Sequence, residues 1–181
     1  MSGIFAIVGP SGVGKDTLMH AAQARIPGLR LVRRVVTRCE SSGGEDFEGV
    51  SETEFDARRD KGAFALHWRA HGLSYGIPVD VEGSLSRGET VLFNGSRAML
   101  GDAMRVFPAL KVIHVTARPD VLAERLRQRG RESDADIAQR LVRARLALPE
   151  GLNVAEIDNS GALEDAVKAL VRVLDPEGVG A

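Results

Sequence analysis

Short apolar runs alternate along the chain with segments whose apolar residues recur at helical spacing. The runs that indicate buried strands are 4–8, 90–93, 111–117 and 153–158. The main segments that indicate helices are 15–25, 97–106, 119–130, 133–148 and 162–174. The last of these carries its apolar face at Leu163, Val167, Leu170 and Leu174. Strands that alternate with helices predict an α/β fold with a parallel sheet and right-handed crossovers.

The segment 29–88 follows a different pattern. We expect one strand over 29–37, a loop over 39–50, a strand over 64–70, a turn-rich segment over 72–78 and a short helix over 79–87. Ser51 and Glu54 form a capping-box pattern, which predicts a helix that ends near Lys61.

The first strand leads into a loop with the sequence Gly9-Pro-Ser-Gly-Val-Gly14-Lys15. This spacing between a strand and a helix is typical of loops that bind nucleoside triphosphates. Glycines let backbone N–H groups surround phosphate oxygens, and Lys15 brings a positive charge to the outer phosphates. ATP is therefore an expected ligand. Its predicted binding residues are Gly9, Pro10, Ser11, Gly12, Val13, Gly14, Lys15, Asp16 and Thr17.

Asp16 stands where this motif normally has a serine or threonine whose hydroxyl contacts Mg²⁺. A carboxylate is a harder and more anionic Mg²⁺ ligand than a hydroxyl. We therefore expect Asp16 to contact Mg²⁺, directly or through a water molecule. The alternative is that Asp16 only caps the helix and Thr17 serves the metal.

Composition narrows the class of function. The formal net charge of −1 argues against a general nucleic-acid or membrane-surface binder. Of the 24 basic residues, 20 are arginine, the side chain that makes forked contacts with phosphate.

The single cysteine, Cys39, cannot form a disulfide within one chain. The N-terminal residues show no secretion signal and no apolar run approaches the length of a membrane span, so we expect a cytoplasmic protein.

Eight arginines lie between residues 118 and 145. Arg125 and Arg129 share a helical face, Gly130 ends that helix, and Arg140 lies on the next helix. Two such helices indicate a lid whose arginines neutralise a transferred phosphoryl group. The predicted catalytic residues are therefore Lys15, Arg125, Arg129 and Arg140. A solvated basic helix pair is the alternative, and it is the better interpretation of Arg127, Arg143 and Arg145.

No aspartate at a predicted strand end is suited to act as the general base that a kinase needs for an alcohol. An acceptor that is itself a phosphate is already ionised and needs positive charge instead of a base. The arginine-rich sequence therefore favours transfer from one phosphate to another.

These motifs resemble those of the guanylate kinase family over nearly the whole chain. The resemblance rests on the loop 9–15, Thr37-Arg38, Ser51-x-x-x-Phe55, Gly62-x-Phe64, His71-Gly72-x-x-Tyr75-Gly76, Arg125-Leu-x-x-Arg129-Gly130 and Ile137-x-x-Arg140-Leu. It implies a P-loop NTPase three-layer sandwich, with a parallel sheet of about five strands and helices on both faces. It also implies that Arg38 and Tyr75 hold the acceptor phosphate and that Asn159 lies beside the adenine.

The same resemblance implies one guanylate-kinase-like domain over 1–181. Its core would comprise about 1–32 and 89–181, its acceptor-binding subdomain about 33–88, and its lid about 125–145.

The residues that read guanine in that family are replaced here. Counted without a gap, the family's glutamate falls on Leu66 and the serine or threonine after Tyr-Gly falls on Ile77. Its aspartate at the end of the next strand falls on Asn94. Leu66 and Ile77 cannot form hydrogen bonds with a base edge, so discrimination for guanine would be lost. We therefore expect an acceptor that carries phosphate but no nucleobase.

Four further segments resemble the ribose 1,5-bisphosphate phosphokinases: 14–16, 64–68, 70–78 and 91–97. This resemblance implies ATP-dependent phosphorylation of the anomeric phosphate of ribose 1,5-bisphosphate, in the branch that serves phosphonate breakdown. The product would be 5-phosphoribosyl 1-diphosphate. The predicted acceptor-site residues are Arg34, Arg38, Tyr75, Asn94 and Arg97, with Arg33 as a further phosphate contact.

Other readings stay open at this point. His67, Trp68 and His71 are candidates for the sugar site, although each is also consistent with a packed or surface residue. The protein could instead be a guanylate kinase with an altered base pocket, or a guanylate-kinase-like binding module without catalysis. The expected partner is a small phosphorylated sugar, with neither nucleic acid nor membrane. The sequence leaves open whether the chain forms a homodimer.

Overall fold

A five-stranded parallel sheet forms the centre of the protein. The computed structural model describes residues 3–39, 45–130, 133–144 and 147–178. The order of the strands across the central sheet is Leu29–Leu31 (β2), Thr90–Asn94 (β7), Gly3–Val8 (β1), Lys111–Thr116 (β8) and Val154–Asp158 (β9). All four pairings in this sheet are parallel. The predicted α/β class and the number of strands are confirmed.

Strand β1 is buried on both faces because its alternate side chains enter two different cores. Phe5 and Ile7 belong to one hydrophobic cluster, whereas Ile4, Ala6 and Val8 belong to the other. A strand covered on both sides reads as a continuous apolar run, which is the pattern that the sequence shows.

Helices cover one face of the central sheet, and short helices together with a second sheet cover the other. The helices that contribute to the first core are Lys15–Gln23 (α1), Pro119–Arg129 (α5), Asp134–Ala144 (α6) and Leu163–Leu174 (α7). The helical segments on the second face are Val81–Ser86 (α3), the 3₁₀ turn Arg97–Met99 and Leu100–Val106 (α4). No helix within these described ranges is long and apolar enough to cross a membrane.

The predicted apolar face of α7 is correct at three of its four positions. Val167, Leu170 and Leu174 are buried, but Leu163 is 44% exposed. Leu163 is the first helical residue, and Ala166 takes the inward position of that turn. The apolar spacing in the sequence therefore includes Leu163, although the part of α7 that packs in the core begins at Ala166.

The second sheet has the order Phe47–Gly49 (β4), Arg34–Val36 (β3), Leu73–Pro78 (β6) and Phe64–Ala70 (β5). The prediction of a single strand over 29–37 is wrong, because the chain changes sheets within it. The N–H of Val32 still donates to the carbonyl of Leu92 in β7, and two residues later Arg34 begins β3. A continuous apolar run does not reveal such a change of sheet.

The segment 72–78 is a strand and not the turn-rich segment predicted. The turn is confined to His71 and Gly72, which have φ values of 53° and 75°. Two residues with positive φ form the tight connection that suits the twist of a hairpin. Residue 76 lies within β6 and is a glycine. A Cβ at this position would come within 2.6 Å of the Phe64 ring on the adjacent strand.

Helix α2, Glu52–Asp60, begins as predicted. The N–H of Glu54 donates to the Ser51 hydroxyl at 3.1 Å, which satisfies one N–H group at the helix start. The predicted loop over 39–50 contains the short strand β4, and its residues 40–44 lie outside the described part. Of the predicted lid segment, residues 131, 132 and 145 also lie outside it.

Candidate active site

The loop between β1 and α1 has the backbone geometry that a phosphate-binding loop requires. Gly12 and Gly14 have φ values of 87° and 95°, a region that side-chain-bearing residues rarely occupy. Gly14 is also the N-cap of α1 and supplies no side chain to the first N–H groups of the helix. These N–H groups are therefore available to an anion at a helix N-terminus.

Lys15 folds back over this loop. Its Nζ donates hydrogen bonds to the carbonyl oxygens of Gly9 and Pro10, at 2.9 and 3.2 Å. Burial lowers the pKa of Lys15 from its ordinary value of 10.5 to about 8, and the neighbouring Asp16 carboxylate opposes that change. A lysine with such a pKa is strongly stabilised in its charged form when phosphate oxygens replace water around it.

One large cavity joins the loop to the second sheet. Its volume is about 1230 Å³, which exceeds the roughly 300–1,000 Å³ of pockets that hold a single small ligand. At one end lie loop residues and the start of α1, namely Gly9, Pro10, Ser11, Gly12, Gly14, Lys15, Asp16 and Thr17. At the other end lie Arg34, Arg38, Glu45, Trp68, Ala70, His71, Tyr75, Ser96, Arg97 and Ala98. Asn94 and Gly95 line the cavity beside the phosphate loop. Arg129, Arg140 and Ala144 also line it.

The acceptor end is built around Arg34. Its Nε and one Nη donate to the two oxygens of Glu45, at 2.8 and 2.6 Å. The guanidinium lies 5.1 Å from the ring centroid of Tyr75 and 5.9 Å from that of Trp68. Those two rings stack, with centroids 5.2 Å apart. The forked ion pair and the ring contacts together fix the orientation of a buried positive charge.

Three buried polar atoms of this cavity have no hydrogen-bond partner among the described residues. They are Arg38 Nε, Trp68 Nε1 and Ser96 Oγ. Buried polar atoms are normally paired, so an unpaired set beside a cavity indicates groups that serve a ligand. All three can donate a hydrogen bond, which suits an acceptor rich in phosphate oxygens.

Asp16 lies where the strand end and the phosphate loop meet. The Nδ2 of Asn94 donates to its Oδ1 at 3.1 Å, so Asn94 at the end of β7 orients the carboxylate. The described residues contain no cluster of three or more His, Cys, Asp or Glu that could hold a metal. Mg²⁺ is usually bound by one or two carboxylates together with substrate phosphates, so this single oriented carboxylate fits such an ion.

The structure brings most of the predicted site residues together. Thr17 and the loop lie at one end of the cavity, with Asn94 beside them. Arg34, Arg38, Tyr75 and Arg97 lie at the other end. Arg129 and Arg140 line the cavity, whereas Arg125 does not. Arg125 is half-buried on α5, with one Nη lacking a partner among the described residues.

Asn159 lies behind the phosphate loop and contacts the loop residue Val13. Asn159 is 3% exposed, and its Nδ2 donates to the carbonyl of Val13 at 2.8 Å. Neither residue lines the cavity, so the contact supports the loop from behind. Arg33 is exposed, pairs with Asp46 and does not line the cavity. His67 lies on the face of the second sheet opposite to Trp68, and it does not line the cavity either.

The sequence prediction lacks two polar side chains of the cavity wall, those of Glu45 and Ser96. Ser96 follows Asn94 at the carboxyl edge of the sheet, so the strand-end rule could have found it. Glu45 lies in the predicted loop over 39–50, where the sequence analysis assigned no site residue. Its contact with Arg34 joins residues eleven apart that no local pattern connects.

Leu66 and Ile77, at the positions expected to read a base, face each other across β5 and β6. They are 3% and 0% exposed and pack in the second core. Neither lines the cavity, so no purine-reading group is supplied from these two positions.

Comparisons with known proteins agree with this geometry. A family model described as an AAA domain matches residues 6–145. The chain is 54% identical to the ribose 1,5-bisphosphate phosphokinase PhnN of Ruegeria sp. (strain TM1040) over 176 residues, which cover 96% of this chain and 92% of that protein. It is 51% identical over 174 residues to the protein of the same name from Agrobacterium fabrum, covering 94% and 95%.

The chain belongs to the ribose 1,5-bisphosphate phosphokinase family. It is a phosphotransferase with a P-loop kinase fold. A solved guanylate kinase from Anaplasma phagocytophilum superposes with a TM-score of 0.69 and 20% identity, over 97% of this chain and 86% of that one. At that identity the likeness shows the fold alone, which this phosphokinase shares.

The lowered pKa of Lys15 leads to a testable proton uptake. At pH 8 about half of the empty enzyme should carry a neutral Lys15, and ATP should bind the charged form. Calorimetric titration with ATP in two buffers of different ionisation enthalpy should therefore show uptake of about half a proton per site. The uptake should be absent in Lys15→Arg, whose guanidinium stays charged. Equal heats in both buffers for the wild type would contradict the assignment.

Proposed function

We propose that this protein transfers the γ-phosphoryl group of ATP to the anomeric phosphate of ribose 1,5-bisphosphate, giving 5-phosphoribosyl 1-diphosphate and ADP. The observation that carries the proposal is the shared cavity. It has a phosphate loop at one end and, at the other, a cationic wall with unpaired donors and no base-reading side chains from Leu66 or Ile77. The names of the relatives point to the same substrate.

The chemistry needs no general base. A phosphate monoester has a second pKa near 6, so the acceptor oxygen is already largely anionic at neutral pH. This oxygen forms the new bond to the γ-phosphorus while the bond to the β–γ bridging oxygen breaks and ADP leaves. Both carboxylates that line the described cavity are engaged, Asp16 by Asn94 and Glu45 by Arg34.

The main barrier is the approach of two anions, and this chain supplies cations for it. Lys15 lies at the donor end, Arg34, Arg38 and Arg97 at the acceptor end, and Arg129 and Arg140 line the same cavity from the two lid helices. We assign the donor phosphates to Lys15 and the loop, and the acceptor phosphates to the second group. Arg129 and Arg140 would stabilise the charge that develops on the transferred group.

Mg²⁺ belongs to the proposal as the partner of ATP. Asp16 would hold it, with the neighbouring Thr17 hydroxyl as a further ligand, and the ion would neutralise charge on the outer phosphates. A cytoplasmic location also belongs to the proposal. It agrees with an ATP-dependent reaction and with a chain whose single cysteine cannot form an internal disulfide.

The substrate assignment is tested by comparing acceptors. A coupled assay of ADP release should show turnover of ribose 1,5-bisphosphate with ATP, and little or no turnover of GMP under the same conditions. The reason is that the cavity has phosphate-binding cations but lacks hydrogen-bonding side chains at the guanine-reading positions. Robust turnover of GMP, with none of the sugar bisphosphate, would show a guanylate kinase instead.

The role of Asp16 is tested by the Mg²⁺ dependence of turnover. Asp16→Ala should raise the Mg²⁺ concentration for half-maximal activity by about 10-fold or more, because a charged ligand is lost. Asp16→Ser restores the hydroxyl that the motif usually has, so it should recover part of the loss. An unchanged Mg²⁺ requirement in Asp16→Ala would mean that this carboxylate serves only the helix.

The two arginines at the end of α5 provide a matched pair. Arg129 lines the cavity, whereas Arg127 is exposed and faces Asp134 at 3.9 Å. Arg129→Ala should lower kcat by about 100-fold, with a smaller change in KM, because it acts on the transition state. Arg127→Ala should leave both constants within about twofold. Similar losses in the two variants would argue against a specific role for Arg129.

A further inference from the structure

Glu45 is an unexpected group at the acceptor end of the cavity. Among the described residues that line this cavity, the carboxylates are Asp16 and Glu45. Asp16 lies beside the phosphate loop, where a metal ion would separate it from the nucleotide. Glu45 instead lies among the side chains assigned to the sugar phosphate, where a negative charge repels phosphate oxygens.

The position of Glu45 is tightly fixed. Its side chain is 19% exposed, and its partner Arg34 is 7% exposed. Arg34 donates one hydrogen bond to each of its oxygens and is itself fixed by the rings of Trp68 and Tyr75. A carboxylate has about four acceptor sites, so acceptor capacity remains on both oxygens after this pairing.

With acceptor sites left after its pairing with Arg34, this fixed carboxylate can accept a hydrogen bond from a donor on the ligand. Phosphate groups offer acceptors at neutral pH, so they cannot supply the donor. The hydroxyl groups of a sugar can donate without adding charge. A carboxylate that accepts from a hydroxyl forms a charge-assisted hydrogen bond, which is stronger than a neutral one.

Although Glu45 pairs with Arg34 at the acceptor end, it is close enough to the phosphate loop for its charge to act on Lys15. It interacts electrostatically with Lys15 at the phosphate loop and with Tyr75 on the acceptor wall. The reacting phosphate must lie between the loop and this wall, since it receives the γ-phosphoryl group. On ribose 1,5-bisphosphate, the hydroxyl next to the reacting anomeric carbon is the one on C2.

We propose that Glu45 accepts a hydrogen bond from the 2-hydroxyl of the ribose and thereby selects ribose over 2-deoxyribose acceptors. This inference rests on the proposed function, because it names the sugar contact within the same reaction. Arg34 then has two functions: it faces the acceptor phosphates and holds Glu45 in place. The alternative is that Glu45 only positions Arg34, and it predicts equal effects on every acceptor.

The test is a cycle that removes the carboxylate and the hydroxyl separately and together. We would measure kcat/KM of the wild type and of Glu45→Ala with ribose 1,5-bisphosphate and with its 2-deoxy and 3-deoxy analogues. In the wild type, loss of the 2-hydroxyl should lower kcat/KM by about 10- to 100-fold, the range of a hydrogen bond to a charged group. In Glu45→Ala the same change should cost about threefold or less.

Two controls make the result specific. Asp46→Asn removes the adjacent negative charge, which pairs with Arg33 outside the cavity, so it should retain the wild-type discrimination. The penalty for the 3-deoxy analogue should be the same in the wild type and in Glu45→Ala. Thermal unfolding would show whether Glu45→Ala folds. If it does not, Glu45→Gln replaces it and should show a 2-deoxy penalty well below that of the wild type, because a neutral amide binds the hydroxyl more weakly.

Each outcome bears on the proposal. An equal 2-deoxy penalty in the wild type and the Glu45 variant would overturn the hydroxyl contact and leave Glu45 as a positioning residue for Arg34. A wild type that accepts the 2-deoxy analogue as readily as ribose 1,5-bisphosphate would overturn it as well. A wild type that does not use ribose 1,5-bisphosphate at all would reject the proposed function itself, a result distinct from the other two.

Discussion

The phosphate loop is packed so closely that three of its positions have no room for a Cβ atom. The nearest contacts of such an atom would be 2.4 Å to the Val115 carbonyl at Gly9, 2.9 Å to Leu126 at Gly12 and 2.7 Å to Asn159 at Gly14. These neighbours come from β8, from α5 and from the residue after β9. Three separate parts of the core therefore hold the loop in place. The helix N-terminus and Lys15 are positioned by that packing.

Packing of this kind links the arginines to the loop. Leu122 and Leu126 of α5 lie against Gly12, and the same helix carries Arg129 into the cavity. A shift of α5 would therefore move both the loop contact and a cation for the transferred group. The geometry of phosphoryl transfer depends on such relative positions, because positioning and charge stabilisation supply most of the catalysis.

The acceptor end solves a different physical problem, which is to keep several positive charges close together without a ligand. Arg34 is paired by Glu45 and stacked near Tyr75 and Trp68, while Arg38 lies 4.5 Å from the Phe47 ring centroid. Unpaired buried charges would be costly, and Arg34 and Arg38 each have an anion or an aromatic face beside them. Glu45 thus lowers the repulsion among the cations and leaves acceptor capacity for a hydroxyl.

The sequence by itself determined the α/β class, the phosphate loop and most of the cavity residues. The fold class and the phosphate loop follow from local rules, namely apolar periodicity and glycine spacing. The residues at the acceptor end of the cavity were predicted from the resemblance to known kinase families. Tertiary structure alone decided the change of sheet after Val32, the hairpin at His71, the placement of Asn159 behind the loop and the pairing of Glu45 with Arg34. Each of these depends on contacts between segments distant in sequence or on the conformation of a loop, and a periodic pattern carries no information about either.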